Sequence, residues 1–156
     1  MSPLQPTSED ERWMARCLEL AAAAATADEV PVGALVVVDG VVVGEGQNRV
    51  EAQRSPLAHA ELLAVQAALA AVGQKRLPSA VVYCTLEPCF LCAGALLHAR
   101  VAKVVFGARD PKFGAVRSLA TLLEDPRLNH RCTVVEGVGA SASAELLRAF
   151  FRAKRG

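Results

Sequence analysis

Two short segments of this 156-residue chain carry residue types that could do chemistry: His59-Ala60-Glu61 and Pro88-Cys89-Phe90-Leu91-Cys92. Cys89 and Cys92 are three residues apart, so on a helix they lie on one side and can grip one ion. Each segment is predicted to follow a loop and open a helix, and the partial positive charge of a helix N-terminus favours the thiolate that zinc requires. Two cysteines and His59 make a ligand set suited to tetrahedral zinc. No fourth ligand is evident in the sequence, and structural zinc sites are usually closed by four, whereas catalytic ones keep a position for water. Zinc brings the pKa of such a water to roughly 7, an effect that two thiolates blunt. A carboxylate beside the water is then needed to take its proton, and Glu61, two residues past His59, is the candidate.

Each segment alone has a plainer meaning. A Cys-x-x-Cys pair also serves as a thioredoxin-like redox couple or as half of a structural zinc site. A lone His-x-Glu carries almost no information. Together, with His59 and Cys89 30 positions apart and a proline directly before the first cysteine, they are far more specific. Cys17, Cys84 and Cys132 read as core residues, and His98 and His130 are not in ligand spacing.

The elements that must position these residues follow from periodicity and turn chemistry. Ser8 and Glu11 have capping-box spacing, and Trp13, Cys17, Leu18 and Ala21 then recur on one face of a first helix. Residues 34–38 and 41–43 read as strands joined by a tight Asp39-Gly40 turn. Residues 47–57 read as a loop, and 58–72 as a helix stopped by Gly73. A buried strand is expected at 80–85, and then a helix from Pro88 to about His98. A further strand is expected at 101–108, a loop at 109–115, a short helix at 118–123, a strand at 132–136 and a last helix at 144–152. Alternating strands and helices indicate one α/β domain over the whole 1–156 chain, its core near 8–152 and its sheet covered on both faces. The ends, residues 1–7 and 153–156, read as loose.

Composition supports that reading: 53% hydrophobic and 21% charged residues are compatible with a packed core and not with disorder. No basic start followed by an apolar run marks a secretory signal, and no apolar stretch approaches the roughly 20 residues of a membrane span. A cytoplasmic protein with no membrane association is expected, in which cysteine pairs serve metal or redox chemistry. The net charge of +1 conceals a division. Residues 1–99 hold 6 Lys+Arg against 11 Asp+Glu, and residues 100–156 hold 11 against 5. The basic half is either an ordinary solvated surface or a phosphate-facing one, with Arg100, Arg109, Lys112 and Arg152 as candidate contacts. The segment from Cys89 to His98 is apolar almost all round (Phe90, Leu91, Ala93, Ala95, Leu96, Leu97), more than one buried face requires, and predicts a homodimer.

Taken together, the two segments match the His-x-Glu…Pro-Cys-x-x-Cys signature of zinc-dependent deaminases in the cytidine/deoxycytidylate deaminase superfamily. From Trp13 to Phe151 the chain further resembles bacterial tRNA-specific adenosine deaminases (the TadA type). The resemblance rests on Glu29-Val30-Pro31-Val32-Gly33-Ala34, Gly44-Glu45-Gly46-Gln47-Asn48-Arg49, Ala58-His59-Ala60-Glu61 and Thr85-Leu86-Glu87-Pro88. It continues in Cys92-Ala93-Gly94-Ala95, Val104-Val105-Phe106-Gly107-Ala108-Arg109-Asp110 and Leu128-Asn129-His130-Arg131.

What the resemblance implies is a three-layer α/β/α, cytidine-deaminase-like fold with a five-stranded mixed sheet, one zinc per chain, a homodimer, and an anticodon stem-loop of tRNA as partner. The implied reaction is hydrolysis of the wobble adenosine to inosine. The substrate-binding positions it implies are Asn48, matched to the residue that bonds the flipped-out nucleotide, Ala60, Asp110, matched to a contact with the neighbouring nucleotide, and Asn129 near the same groove. As bare residues, Asn48 could equally cap a turn, and Asp110-Pro111 could open one. The chain departs from the family at Gln47, where Trp is frequent, and at Phe113 and Arg117, in a loop otherwise lined by small residues. Two other readings remain open from sequence: a free-base deaminase acting on guanine or cytosine, and a zinc-stabilised RNA-binding module without catalysis. Glu61 argues against the second, since a structural site has no use for a carboxylate facing open metal.

Overall fold

The computed structural model describes residues 4–156, so that part of the expected loose amino terminus, Met1 to Pro3, lies outside the described residues. Five strands form one mixed sheet in the order β2 (Val41–Gln47), β1 (Gly33–Val38), β3 (Val81–Leu86), β4 (Lys103–Ala108), β5 (Thr133–Val135). β1 is antiparallel to both its neighbours, and β3, β4 and β5 run parallel. Asp39 and Gly40 both take positive φ, 50° and 75°, as the expected two-residue turn between β1 and β2 demands.

Strand alternation sorts the core into two layers. Leu35, Val37, Tyr83, Val105 and Val135 face α1 (Ser8–Thr26) and α5 (Ala140–Arg155). Val36, Val82, Cys84, Val104 and Phe106 face α3 (Ala60–Val72) and α4 (Phe90–His98). This is the α/β/α sandwich expected from the sequence. Gly73 ends α3 in the left-handed conformation, φ 71°.

Several local expectations are corrected. The capping box of α1 is built by Thr7 and Asp10, one residue earlier than Ser8 and Glu11. Tertiary contacts select it, because buried Asp10 also accepts from the Tyr83 hydroxyl and pairs with Lys103. Burial alone would raise the Asp10 carboxyl, but the Thr7 amide, Tyr83 and Lys103 outweigh it and hold it below its usual value. Met14, Cys17, Leu20, Ala21 and Ala24 form the buried stripe of α1, with Trp13 and Leu18 at its edge. The expected loop at 47–57 contains a single helical turn, α2 (Val50–Gln53), whose first amides at Glu51 and Ala52 bond the buried carboxylate of Glu29. The expected helix at 118–123 is replaced by turns and a 3₁₀ turn at Leu122–Glu124. α5 is longer than expected at both ends and absorbs the basic tail as far as Arg155; near its start, the Ser143 hydroxyl donates to the Thr85 carbonyl.

Two glycines of β2 set how closely α3 lies on the sheet. A Cβ on Gly44 would stand 2.2 Å from the Ala64 carbonyl oxygen, and one on Gly46 2.3 Å from that of Ala60. Only bare backbone lets the turn that carries His59 and Glu61 sit there. Gly46→Ala should therefore destabilise the fold by about 1–3 kcal/mol or more through forced overpacking. Thermal unfolding followed by circular dichroism measures this, and an unchanged midpoint would show that α3 has slack against β2.

Candidate active site

The parallel strands β3 and β4 end at one edge of the sheet, where β1 begins and β2 finishes, and helices α3 and α4 both start there. Such an edge is where open α/β sheets bind ligands. His59 occupies the N-cap position of α3 and Cys89 that of α4, each in extended conformation, so both side chains turn away from their helix and toward each other. Cys92 follows on the first turn of α4 and is fully buried.

His59 Nδ1 lies 3.6 Å from Cys89 Sγ and 3.4 Å from Cys92 Sγ. A tetrahedral zinc with ordinary Zn–S and Zn–N lengths holds its sulfur and nitrogen ligands about 3.5 Å apart, so the donor set and its spacing both fit zinc. These three are the only such group of potential metal ligands among the described residues. A hydrogen bond from the Cys92 thiol holds the Cys89 thiol down to about 4, and that sharing, with burial, raises Cys92.

His59 and Cys89 open onto a cavity of about 760 Å³ that also receives Glu61, Asn48 and Asp110. Its size suits a nucleoside-sized ligand. Glu61 is 5% exposed, and burial pushes its carboxyl up to about 7. The Asn48 side chain serves the cap that its bare residue type allowed, since Oδ1 accepts from the Ala60 amide at 2.9 Å. That bond fixes the orientation of the Asn48 amide and leaves Nδ2 as its donor for a ligand. It also occupies the Ala60 N–H, so Ala60 offers no free amide. Asp110 opens a turn, with Oδ1 accepting from Lys112 and Phe113 amides.

Other sequence-derived candidates lie apart. Asn129 is exposed and precedes His130, whose Nε2–H donates to the Val101 carbonyl at 2.8 Å, beyond the amino end of β4. Arg100 ends the turn after α4, at the same far end of the sheet. The expected place of Asn129 near the substrate groove is thus not met within one chain, because the parallel strands put 100 and 129 opposite the edge that carries His59. Arg109 is engaged by Glu136, bonded at 2.8 and 3.1 Å. Arg117 pairs with Glu136 and Glu124. Lys112 and Arg152 do share a surface, a second groove of about 410 Å³ completed by Arg148, Phe151 and Arg155.

Sequence reasoning marked Phe113 as a departure but missed the residues that wall the cavity beside it, Phe150, Lys154 and Asp28, the last two ion-paired at 2.5 Å. It also assigned no role to Glu87, a buried carboxylate on the cavity floor. The one available signal was an acidic residue at the end of an apolar strand, directly before Pro88-Cys89. If the three donors hold zinc as their spacing requires, Cys89→Ala and Cys92→Ala should each lose it and melt lower, since the ion ties two helix starts together. Elemental analysis should give one zinc per wild-type chain; full occupancy in both variants would overturn the ligand set.

The chain matches the model of the MafB19-like deaminase family over residues 8–155. A tRNA-specific adenosine deaminase of Agrobacterium fabrum is 43% identical over 148 residues, covering 95% of this chain and 97% of that protein. One of Bacillus subtilis is also 43% identical, covering 95% and 92%. Among solved structures, a tRNA:A34 deaminase described for A-to-I editing at the wobble position of transfer RNA superposes with a TM-score of 0.84 at 42% identity, covering 87% of this chain and 99% of that one. A guanine deaminase from Nitrosomonas europaea superposes with a TM-score of 0.80 at 27% identity, covering 96% and 86%. With this fold, these donors on two helix starts and such relatives along almost its full length, the chain belongs to the tRNA-specific adenosine deaminase family, on a MafB19-like deaminase domain.

Proposed function

We propose that this protein hydrolyses adenosine at the wobble position of a tRNA anticodon, so that adenosine and water give inosine and ammonia. The observation that carries the reading is the cavity in which three donors spaced for zinc face one buried carboxylate, Glu61. A zinc ion held by His59, Cys89 and Cys92 would supply the Lewis acidity that makes water a nucleophile at neutral pH.

The remaining work falls to the chain. Glu61 takes one proton from the attacking water and passes it to purine N1, then takes the second from the hydroxyl now on C6 and passes it to the amino group, which leaves as ammonia. Burial raises the Glu61 carboxyl above its ordinary value, which favours a group that must give protons back as well as take them. Asn48, held by the Ala60 amide, presents Nδ2 to the nucleotide, while Val32, Leu86 and Phe113 line the cavity with apolar surface for the base. A base stacked in a duplex cannot present C6 to so enclosed a site, whereas a single-stranded anticodon loop can extrude one at lower cost.

The choice of RNA over a free base is supported by α5. Phe150 and Lys154 line the cavity, and on another face of the same helix Arg148, Arg152 and Arg155 line the basic groove with Lys112. Phosphates leading away from an inserted nucleotide meet cations there, and a free base needs none. Arg109 and Arg100, one ion-paired and the other at the far end of the sheet, are weaker candidates for that contact.

No helix among the described residues is long and apolar enough to cross a membrane. A tRNA substrate assigns the protein to the cytoplasm. Phe90 and Leu91 on the first turn of α4 are 50% and 42% exposed beside the cavity, and with exposed Leu57 and Leu119 they support a homodimer. Light scattering at micromolar concentration should report twice the 16.4 kDa chain mass, and a strict monomer would refute the dimer.

The reaction is tested by incubating the zinc-loaded protein with an anticodon stem-loop bearing wobble adenosine and analysing nucleosides for inosine. Glu61→Gln should retain zinc and lose turnover by about 10²–10⁴-fold or more, because proton transfer stops. Absence of inosine with efficient turnover of guanine or cytosine would establish the free-base reading instead. Wild-type turnover in the Gln variant would move the proton shuttle elsewhere.

A further inference from the structure

Glu87 stands at the end of β3, two residues before Cys89, and is 2% exposed. Among the described residues its carboxylate forms no salt bridge. Five donors converge on it instead: Oε1 accepts from the Asp110 amide at 2.9 Å and from the Ser118 hydroxyl. Oε2 accepts from the amides of Val116, Arg117 and Ser118 at 3.0, 2.7 and 2.8 Å. Converging backbone amides of this kind make a cradle for an anion, here filled by the protein's own side chain.

All four amides belong to the segment from Asp110 to Ser118, which has no helix or strand of its own. Its ends are therefore gathered on a single carboxylate. Between them the Ala115 amide donates to the Pro88 carbonyl at 2.9 Å, and Gly114 bridges Cys89. Gly114 cannot carry a side chain there, because a Cβ would stand 2.3–2.5 Å from the Glu87 carboxylate. The same segment brings Asp110 and Phe113 to the cavity wall.

We propose that Glu87 is a positioning residue for substrate: it holds the Asp110–Phe113 wall at a set distance from the turn that carries Cys89, and so tunes binding of the nucleotide rather than the chemical step. The inference rests on the deaminase reading above but not on which aminated base is the substrate. Glu87→Gln places an NH₂ group among five donors and removes acceptors that no neighbour replaces. The loop should loosen while His59, Glu61 and the cysteines stay in place. A wall displaced by about 1 Å weakens positioning strongly.

The test compares wild type, Glu87→Gln, Ser118→Ala, which removes one donor only, and Gly114→Ala, which pushes the carboxylate out of its cradle. Each is assayed on whichever substrate the wild type turns over, the stem-loop or guanine, so that failure of the tRNA reading is seen separately. Expected are one zinc per chain throughout, faster amide exchange at 116–118, and a KM raised about tenfold or more in Glu87→Gln and Gly114→Ala with kcat within about threefold. Ser118→Ala should shift KM in the same direction by less. A zinc-loaded Glu87→Gln with wild-type KM would overturn the proposal. So would loss of zinc across all three variants, which would make Glu87 merely structural, or an equal fall of kcat and kcat/KM at unchanged KM, which would place its effect on the chemical step.

Discussion

Three donor atoms carried by two different helix starts have to meet at one point, and most of the architecture answers to that demand. His59 and Cys89 are both N-cap residues in extended conformation, which aims their side chains across the gap between α3 and α4 rather than along either helix. The gap itself is set by the sheet, with β2 and β1 supporting α3 from below and β3 leading directly into Cys89. Because Gly44 and Gly46 admit no Cβ, α3 rests on β2 backbone to backbone, and His59 Nδ1 arrives within 3.4–3.6 Å of both sulfurs. Two helix N-termini also direct their positive ends at the same spot, which favours thiolates before any metal arrives.

Buried acids do most of the remaining work, and their surroundings give them different tasks. Asp10 is matched by Tyr83 and Lys103 and ties α1 to the sheet. Glu29 caps the short α2 and holds the loop that leads to His59. Burial would raise Glu87, but hydrogen bonds led by Ser118 and the amides at 117 and 110 outweigh it and hold the carboxyl below its usual value. Glu61 has no such company. Its own backbone amide is the chief compensation for burial, and its carboxyl is pushed up to about 7. Two glutamates in one cavity thus take different tasks: five donors hold Glu87 as an anion, whereas burial without them raises Glu61.

The cavity and the basic groove lie on either side of α5, which contributes Phe150 and Lys154 to the one and Arg148, Arg152 and Arg155 to the other. A helix that closes the α1 side of the sheet thus also joins the place where a base would sit to the place where its phosphates would run. The amphipathic pattern needed for the first role leaves the cations of the second on the opposite face.

Much of this was legible in the residues themselves. His59, Glu61, Cys89 and Cys92 declare a metal-and-proton chemistry through type and spacing, and the N-terminal helix positions that make the spacing work follow from Pro88 and from the polar loop before Ala58. Asp39-Gly40 and Gly73 mark their turns because only a few residue types accept positive φ there. Tertiary structure alone decided what depends on separation in space. It chose Thr7 and Asp10 over Ser8 and Glu11 as the capping box, since Asp10 has Tyr83 and Lys103 to meet. It carried Arg100 and Asn129 to the far end of the parallel strands, gave Arg109 to Glu136, and gathered Lys112 and Arg152 into one groove. Most of all, it folded nine residues around Glu87. Four of the five donors that hold that carboxylate are backbone amides 23 to 31 positions away, and a backbone amide has no letter of its own in a sequence.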